Sequence, residues 1–157
     1  MSLEIGGFIE LNMFNKKEHH PNAHKLNLAR HGINLLLDNN KYHKAYLPKY
    51  FSETVYKILK IPYEFYDIDE NFMAKLDNNK LGEKDVIIFP NYFGINNYNV
   101  LHVLKKFKNV IIDNVHAFYQ KLPRQDVVYS ARKFFGVPDG AYIYSKKKIN
   151  LKLDTDT

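Results

Sequence analysis

The sequence contains no cysteine and no tryptophan. Without cysteine the chain can form neither disulfides nor thiolate metal sites, and nothing in its composition points to an oxidising compartment. It also has no apolar run long enough to cross a bilayer and no secretory signal pattern near its N-terminus. From these absences we expect a cytoplasmic protein with no membrane partner.

Hydrophobic and aromatic residues are plentiful, at 45% and 15% of 157 residues, which is enough to bury the core of one domain. The formal net charge is +6. Basic residues cluster in two short runs, at 105–108 and 146–148, and elsewhere they are interleaved with acids and Asn. A basic nucleic-acid-binding domain, which binds in a salt-dependent way, is therefore the weakest hypothesis. We expect a solvated lysine surface and no nucleic-acid partner.

Three histidines, His19, His20 and His24, fall within six residues and raise the question of a metal site. Pro21 breaks any helix that would place His20 and His24 on one face, and no carboxylate is spaced to complete the ligand set. We therefore expect solvent-exposed loop histidines and no metal.

Short apolar runs alternate with segments of helical periodicity. The pattern predicts strands at 8–11, 45–48, 63–68, 85–90, 110–113, 126–130 and 141–144. It predicts helices at 28–38, 52–60 and 97–107. Alternating strands and helices are typical of a parallel sheet covered on both faces, while the last connection is too short for a crossover helix and predicts an antiparallel strand. The expected fold class is α/β, a three-layer α/β/α sandwich with a mostly parallel sheet.

Polar residues follow the buried strands, where ligands bind in open α/β sheets. Asp113 ends one apolar strand, and a carboxylate there stays charged only beside a cation such as a pyridinium. Lys133 lies beside Phe134 and Phe135, and desolvation would make its amine a better nucleophile. Taken singly, such an Asp is commonly a turn former and such a Lys a surface residue. Together they suit a pyridoxal cofactor, which needs an amine and a ring-nitrogen partner.

The ordered motifs resemble a known family. The segment 113–116, Asp-Asn-Val-His, resembles the aspartate motif of fold type I enzymes that use pyridoxal 5'-phosphate (PLP), especially the DegT-like sugar aminotransferases. The segment 130–133, Ser-Ala-Arg-Lys, resembles their lysine motif. The extended stretch 133–141 and Asn-Tyr-Phe-Gly at 91–94 are similar to a DegT-like branch associated with surface-polysaccharide loci. The resemblance covers about residues 5–145.

For the cofactor ring, the resemblance implies that Lys133 forms the Schiff base with PLP and acts as the catalytic lysine. It implies that Asp113 binds the ring nitrogen and that His116 lies near the ring hydroxyl. An aromatic side chain stacks on the ring in this family, and Tyr50 and Phe51 are the candidates here.

For the rest of the cofactor site, the resemblance implies that Ser130 and the turn at Ala29 and Arg30 hold the phosphate. Asn91 and Tyr92 are expected to line the pocket. Where relatives tend to have Ser-Gly before Arg30, this chain has Leu-Ala.

The resemblance implies that residues 1–150 are the PLP-binding large domain. Residues 151–157 are then the start of a missing C-terminal domain or a disordered tail. The implied activity is transfer of an amino group from a donor to a keto sugar or nucleotide sugar in surface-polysaccharide biosynthesis, by a homodimer, with Lys133 as general base. The alternative is a truncated, catalytically inactive remnant or interaction module with the same fold.

Overall fold

The computed structural model describes residues 17–122 and 124–149. The predicted strand at 8–11 and the segment 151–157 lie outside the described residues. Within them, no helix is long and apolar enough to cross a membrane.

Within the described residues, eight strands form one sheet, and the expected mostly parallel arrangement is confirmed. The order across the sheet is β1-β8-β7-β6-β5-β2-β3-β4. The five central strands, from β7 to β3 in this order, run parallel. The remaining three pairings are antiparallel: β7 with β8, β8 with β1, and β3 with β4. The strands are β1 (His24–Leu26), β2 (Lys44–Pro48), β3 (Tyr63–Ile68), β4 (Ala74–Lys75), β5 (Asp85–Pro90), β6 (Val110–Asp113), β7 (Asp126–Ser130) and β8 (Ala141–Tyr144).

In the part of the chain that the structure describes, three α-helices accompany the sheet: α1 (Ala29–Asn40), α2 (Glu53–Tyr56) and α3 (Asn97–Lys106). Helix α1 ends because Lys41 adopts the left-handed conformation, with φ at 56°. Helix α2 is much shorter than predicted because none of its residues is buried, so no packed face extends it. Single turns of 3₁₀ helix follow three of the strands, at Asn78–Lys80, Tyr92–Gly94 and Ala131–Lys133.

Both faces of the sheet are covered, which makes three layers. Along β5, Val86 and Ile88 belong to the core on the α1 side, whereas Ile87 and Phe89 belong to the core on the α3 side. All four side chains are fully buried. Successive side chains of a strand point to opposite faces of the sheet, so a strand that is buried on both faces is apolar throughout. Burial of each such side chain stabilises the fold by about 1.5–3 kcal/mol.

The expectation that the clustered histidines are exposed is wrong for His20, which is 1% exposed. Its Nε2 lies 2.8 Å from the carbonyl oxygen of Phe118. Its ring packs against Tyr129 at 4.3 Å between ring centroids. Burial lowers the pKa of His20, so a neutral imidazole anchors the start of the described chain to the α3 side of the sheet. His24, in β1, is exposed.

Candidate active site

The predicted site residues gather at the edge of the sheet where the parallel strands end. Strand register places Pro90, Asp113 and Val128 in one row across β5, β6 and β7. A second row joins Leu26, Ala141 and Ser130 across β1, β8 and β7. Because β1 runs in the same direction as β7, helix α1 also begins at this edge.

Asp113 is a buried carboxyl group at the end of β6, only 5% exposed. One of its oxygens accepts a hydrogen bond from the backbone N–H of Val115 at 3.0 Å. Burial raises the pKa of Asp113 to about 6, while the Val115 N–H and the charge of Lys133 act in the opposite direction. Among residues 17–122 and 124–149 it forms no ion pair. A cationic ring nitrogen is the kind of group that this carboxylate lacks.

Lys133 and His116 meet beside Asp113. The Lys133 Nζ lies 3.0 Å from Nε2 of His116. Burial lowers the pKa of His116, and the nearby Lys133 lowers it further. A neutral imidazole therefore accepts a hydrogen bond from the Lys133 amine.

The expectation that Phe134 and Phe135 desolvate Lys133 is wrong, because Lys133 is exposed. Both rings turn instead towards Phe118, at 5.7 and 5.0 Å between centroids. The amine consequently faces solvent at the sheet edge, where it is accessible to a reacting aldehyde.

The loop after β5 packs against the loop after β6 through Phe93 and Gly94. Both residues have positive φ, at 56° and 72°. A Cβ atom at Gly94 would lie 2.4 Å from the carbonyl oxygen of His116, so only glycine fits there. The Phe93 ring lies parallel to that of His116, with centroids 6.1 Å apart. The motif at 91–94 includes Phe93 and Gly94 but does not by itself predict this contact. A Phe-Gly pair after a buried strand is only a weak signal for it.

Tyr92 is buried next to Asp113. Its hydroxyl donates to the carbonyl oxygen of Tyr50 at 2.8 Å, and the two rings stack. Burial raises the pKa of Tyr92 well above its ordinary value, with the charge of Asp113 as the next cause. The two candidates for a ring-stacking role are therefore placed differently: Tyr50 lies on Tyr92 and is 60% exposed, whereas Phe51 packs against the core on the α1 side.

Asn91 is fully buried, and protein partners occupy its side chain. Its Nδ2 donates to Oδ1 of Asn97 and to Oε1 of Gln120, while its Oδ1 accepts from the backbone N–H of Asn96. Asn91 therefore supports the site from within. Gln120 was missed by sequence reasoning, because nothing in its local sequence marks it.

Ser130, at the end of β7, and the segment before α1 are connected through the backbone of Gly140. The backbone N–H of Gly140 donates to the carbonyl oxygen of Asn27, and the Gly140 carbonyl accepts from the N–H of Ala131. Leu28 precedes the helix and provides no side-chain cap. The positive end of the helix dipole, at Ala29 and Arg30, therefore points towards the same edge as Ser130.

No protein-family model and no curated protein sequence matches the chain. Solved structures do match. The sugar aminotransferase CalS13 from Micromonospora echinospora superposes with a TM-score of 0.60 at 15% identity, over 80% of this chain and 42% of that one. A DegT DnrJ EryC1 StrS aminotransferase from Brucella abortus gives 0.57 at 11% identity, over 80% and 42%.

A GDP-4-keto-6-deoxymannose-3-dehydratase, solved with a trapped PLP–glutamate adduct, gives a TM-score of 0.56 at 12% identity, over 80% of this chain and 40% of that one. The fold is thus that of the PLP-dependent transferases, which confirms the fold expected from the motifs. These three structures are named as a sugar aminotransferase, an aminotransferase and a keto-sugar dehydratase, and the chain spans about two fifths of their length.

Proposed function

We propose that this chain is the PLP-binding large domain of an aminotransferase-like protein that acts on a keto sugar. The observation that carries the proposal is the group formed by a buried carboxyl (Asp113), an accessible lysine (Lys133) and a neutral histidine (His116) at the carboxyl edge of this fold. Structures of the same fold include one named a sugar aminotransferase and a keto-sugar dehydratase that was solved with a PLP–glutamate adduct.

The residues present fit the cofactor. Asp113 would hold the ring nitrogen, because its burial without an ion pair favours a cationic partner. Lys133 would bond to the cofactor aldehyde. Ser130 and the N–H groups at Ala29 and Arg30 would hold the phosphate. Bound PLP supplies an electron sink for chemistry at the carbon that carries the amino group.

With PLP bound, three side chains of this protein would have different roles. Lys133 moves the substrate proton as general base, because its amine lies at the open edge and has His116 as a hydrogen-bond partner 3.0 Å away. His116 stays neutral and orients that amine. Tyr92 keeps its proton and fixes the neighbouring loop through Tyr50.

We further propose a substrate, an oligomeric state and a cellular role. One matching structure contains a TDP-sugar product, and another is a GDP-keto-sugar dehydratase, which supports a nucleotide sugar as acceptor. We propose a role in surface-polysaccharide biosynthesis in the cytoplasm. We also propose a homodimer, which the large exposed apolar side chains near the site support.

The test is covalent labelling. The protein is incubated with PLP, its visible absorption band is recorded, and the adduct is trapped with borohydride and mapped by peptide mass. We expect the adduct on Lys133, its loss in Lys133→Ala, and its persistence in Lys105→Ala, a control on the exposed face of α3. Bleaching of the band by an amino donor would support transamination. Absence of the band, or labelling scattered over surface lysines, would leave an inactive remnant of the fold.

A further inference from the structure

Four amide side chains form a hydrogen-bonded group beneath the candidate site, which we name the amide cluster: Asn91, Asn97, Asn114 and Gln120. Asn91 and Asn114 are fully buried. Asn91 directly follows β5, Asn114 directly follows β6, and Asn97 begins α3. The cluster therefore joins three segments that border the site.

Gln120 is the centre of the amide cluster. Its Oε1 accepts from Nδ2 of Asn91 at 2.8 Å and from Nδ2 of Asn114 at 2.9 Å. Its Nε2 donates to Oδ1 of Asn97 at 2.7 Å. Its backbone carbonyl accepts from the hydroxyl of Tyr129, in β7, at 2.8 Å. One residue thus connects the ends of two strands, the start of a helix and a third strand.

The cluster lies against the backbone that carries Asp113. The N–H of Asn91 donates to the carbonyl oxygen of Asp113 at 2.9 Å, and the N–H of Asn114 donates to that of Val128 at 2.8 Å. The Asp113 carboxyl itself accepts only from Val115 among the described residues. Its direction is therefore set by the conformation of residues 113–116, which also carry His116.

The energetics favour a single conformation of this loop. A buried amide left without its partner costs about 1–3 kcal/mol, so any movement that separates Asn91 or Asn114 from Gln120 is penalised. Three of the four hydrogen bonds of the cluster are partly buried, and linked hydrogen bonds shielded from water strengthen one another. Removing Gln120 leaves two buried amides without their common acceptor.

We propose that Gln120 is a positioning residue, which acts through Asn91 and Asn114 to hold Asp113 and His116 in the geometry that the cofactor ring requires. The cofactor part of this inference rests on the proposed function. The orientation of Asp113 does not, and it is measurable in the protein alone.

The experiment replaces Gln120 by methionine, which has a similar length but no polar side-chain atom able to replace the amide. Carbon-13 NMR follows the titration of the Asp113 carboxyl without cofactor, with Asp113→Asn to assign the signal, and the Kd for PLP is measured in parallel. Loosening of the loop admits water, so we expect the pKa of Asp113 to fall towards its ordinary value, by about one unit, and the Kd to rise roughly tenfold.

Asn109→Leu is the matched control. The Nδ2 of Asn109 makes two hydrogen bonds of 2.9 Å, to the carbonyl oxygens of Glu83 and Asp85 at the opposite edge of the sheet. We expect this variant to lose stability while the Asp113 titration and the Kd stay unchanged. If Gln120→Met also leaves both unchanged, Gln120 is only a structural residue and the inference is wrong.

A second variant, Asn97→Ala, removes the acceptor that the Gln120 and Asn91 amides share, at an exposed position where alanine favours the helix. We expect a smaller shift of the Asp113 titration in the same direction, and an unshifted titration would overturn the inference even if Gln120→Met does not fold. Failure of the wild-type protein to bind PLP would count against the proposed function, and the NMR titration would still decide the role of Gln120.

Discussion

At the scale of single residues, Asp113 dominates the chemistry of the site. Its pKa of about 6 lies above the ordinary 3.8, so the folded protein holds a proton that the unfolded chain releases. Between about pH 4 and 6 the unfolded state binds fewer protons than the folded one, and the free energy of unfolding contributed by Asp113 falls as pH rises. The loss amounts to at most about 3 kcal/mol by pH 7.

Asp113→Asn is therefore expected to weaken this pH dependence. In urea titrations of the cofactor-free proteins at pH 4 and pH 7, the variant should gain stability relative to wild type at pH 7 only. With PLP bound, the wild type should be the more stable of the two at pH 7. The cationic ring nitrogen compensates the buried charge of Asp113, which the variant does not have. Equal shifts at both pH values would show that the carboxyl is not buried in its charged form.

The chain positions of Asp113 and Lys133 could be predicted from the sequence because both follow short buried strands in a recognisable order. Their surroundings could not. The exposure of Lys133 to solvent depends on the orientation of the Phe134 and Phe135 rings. Both rings pack against Phe118, which precedes them by more than a dozen residues, so their orientation is a property of the folded chain. The burial of His20 has the same cause, since its partners come from a segment almost a hundred residues later.

At the scale of elements, the loop after β5 depends on Gly94. Replacement by alanine places a methyl group against the His116 carbonyl, at a φ of 72° that side chains disfavour. We expect Gly94→Ala to lower the free energy of unfolding by about 1–3 kcal/mol and to displace His116. Urea unfolding measures the first effect, and the ring proton shifts of His116 measure the second.

Gly82→Ala is the control for this prediction. Gly82 does not have a positive φ, and its added methyl group would meet only the Asp85 carboxylate at 3.3 Å. We expect a change of less than about 1 kcal/mol, typical of a surface substitution. If the two variants lose the same stability, the close approach of Gly94 to His116 is not what constrains the loop.

Strands β3, β5, β6, β7 and β8 have the bounds that the sequence predicts. For β5, β6 and β7 the reason is that a strand buried on both faces is a short, mainly apolar run. Helix α2 is shorter than predicted. Its periodicity extends to residue 60, but isolated turns are unstable without a packed face, and none of its residues is buried. The amide cluster was also missed, because its members meet only through the folded loops.

At the scale of the whole molecule, large apolar side chains remain on the surface beside the site. Tyr98 and Leu101 share one face of α3, and Ile95 lies two residues before the helix begins; these side chains are 78%, 53% and 83% exposed, respectively. Phe93, next to His116, is 56% exposed. Exposed large apolar side chains that lie close together in the sequence are typical of an interface. A second copy of the chain that covers this face would also close the open side of Phe93.

We therefore expect the protein to run in size-exclusion chromatography with light scattering at about twice its 18.5 kDa mass. Ile95→Glu should return it to the single-chain mass, because it places a charge in the centre of the proposed interface. Ile58→Glu, at another exposed apolar position far along the chain from α3, should leave the mass doubled. If the dimer persists in Ile95→Glu and is lost in Ile58→Glu, the interface lies on the β3 side of the molecule. The exposed face of Phe93 is then not covered by the second copy.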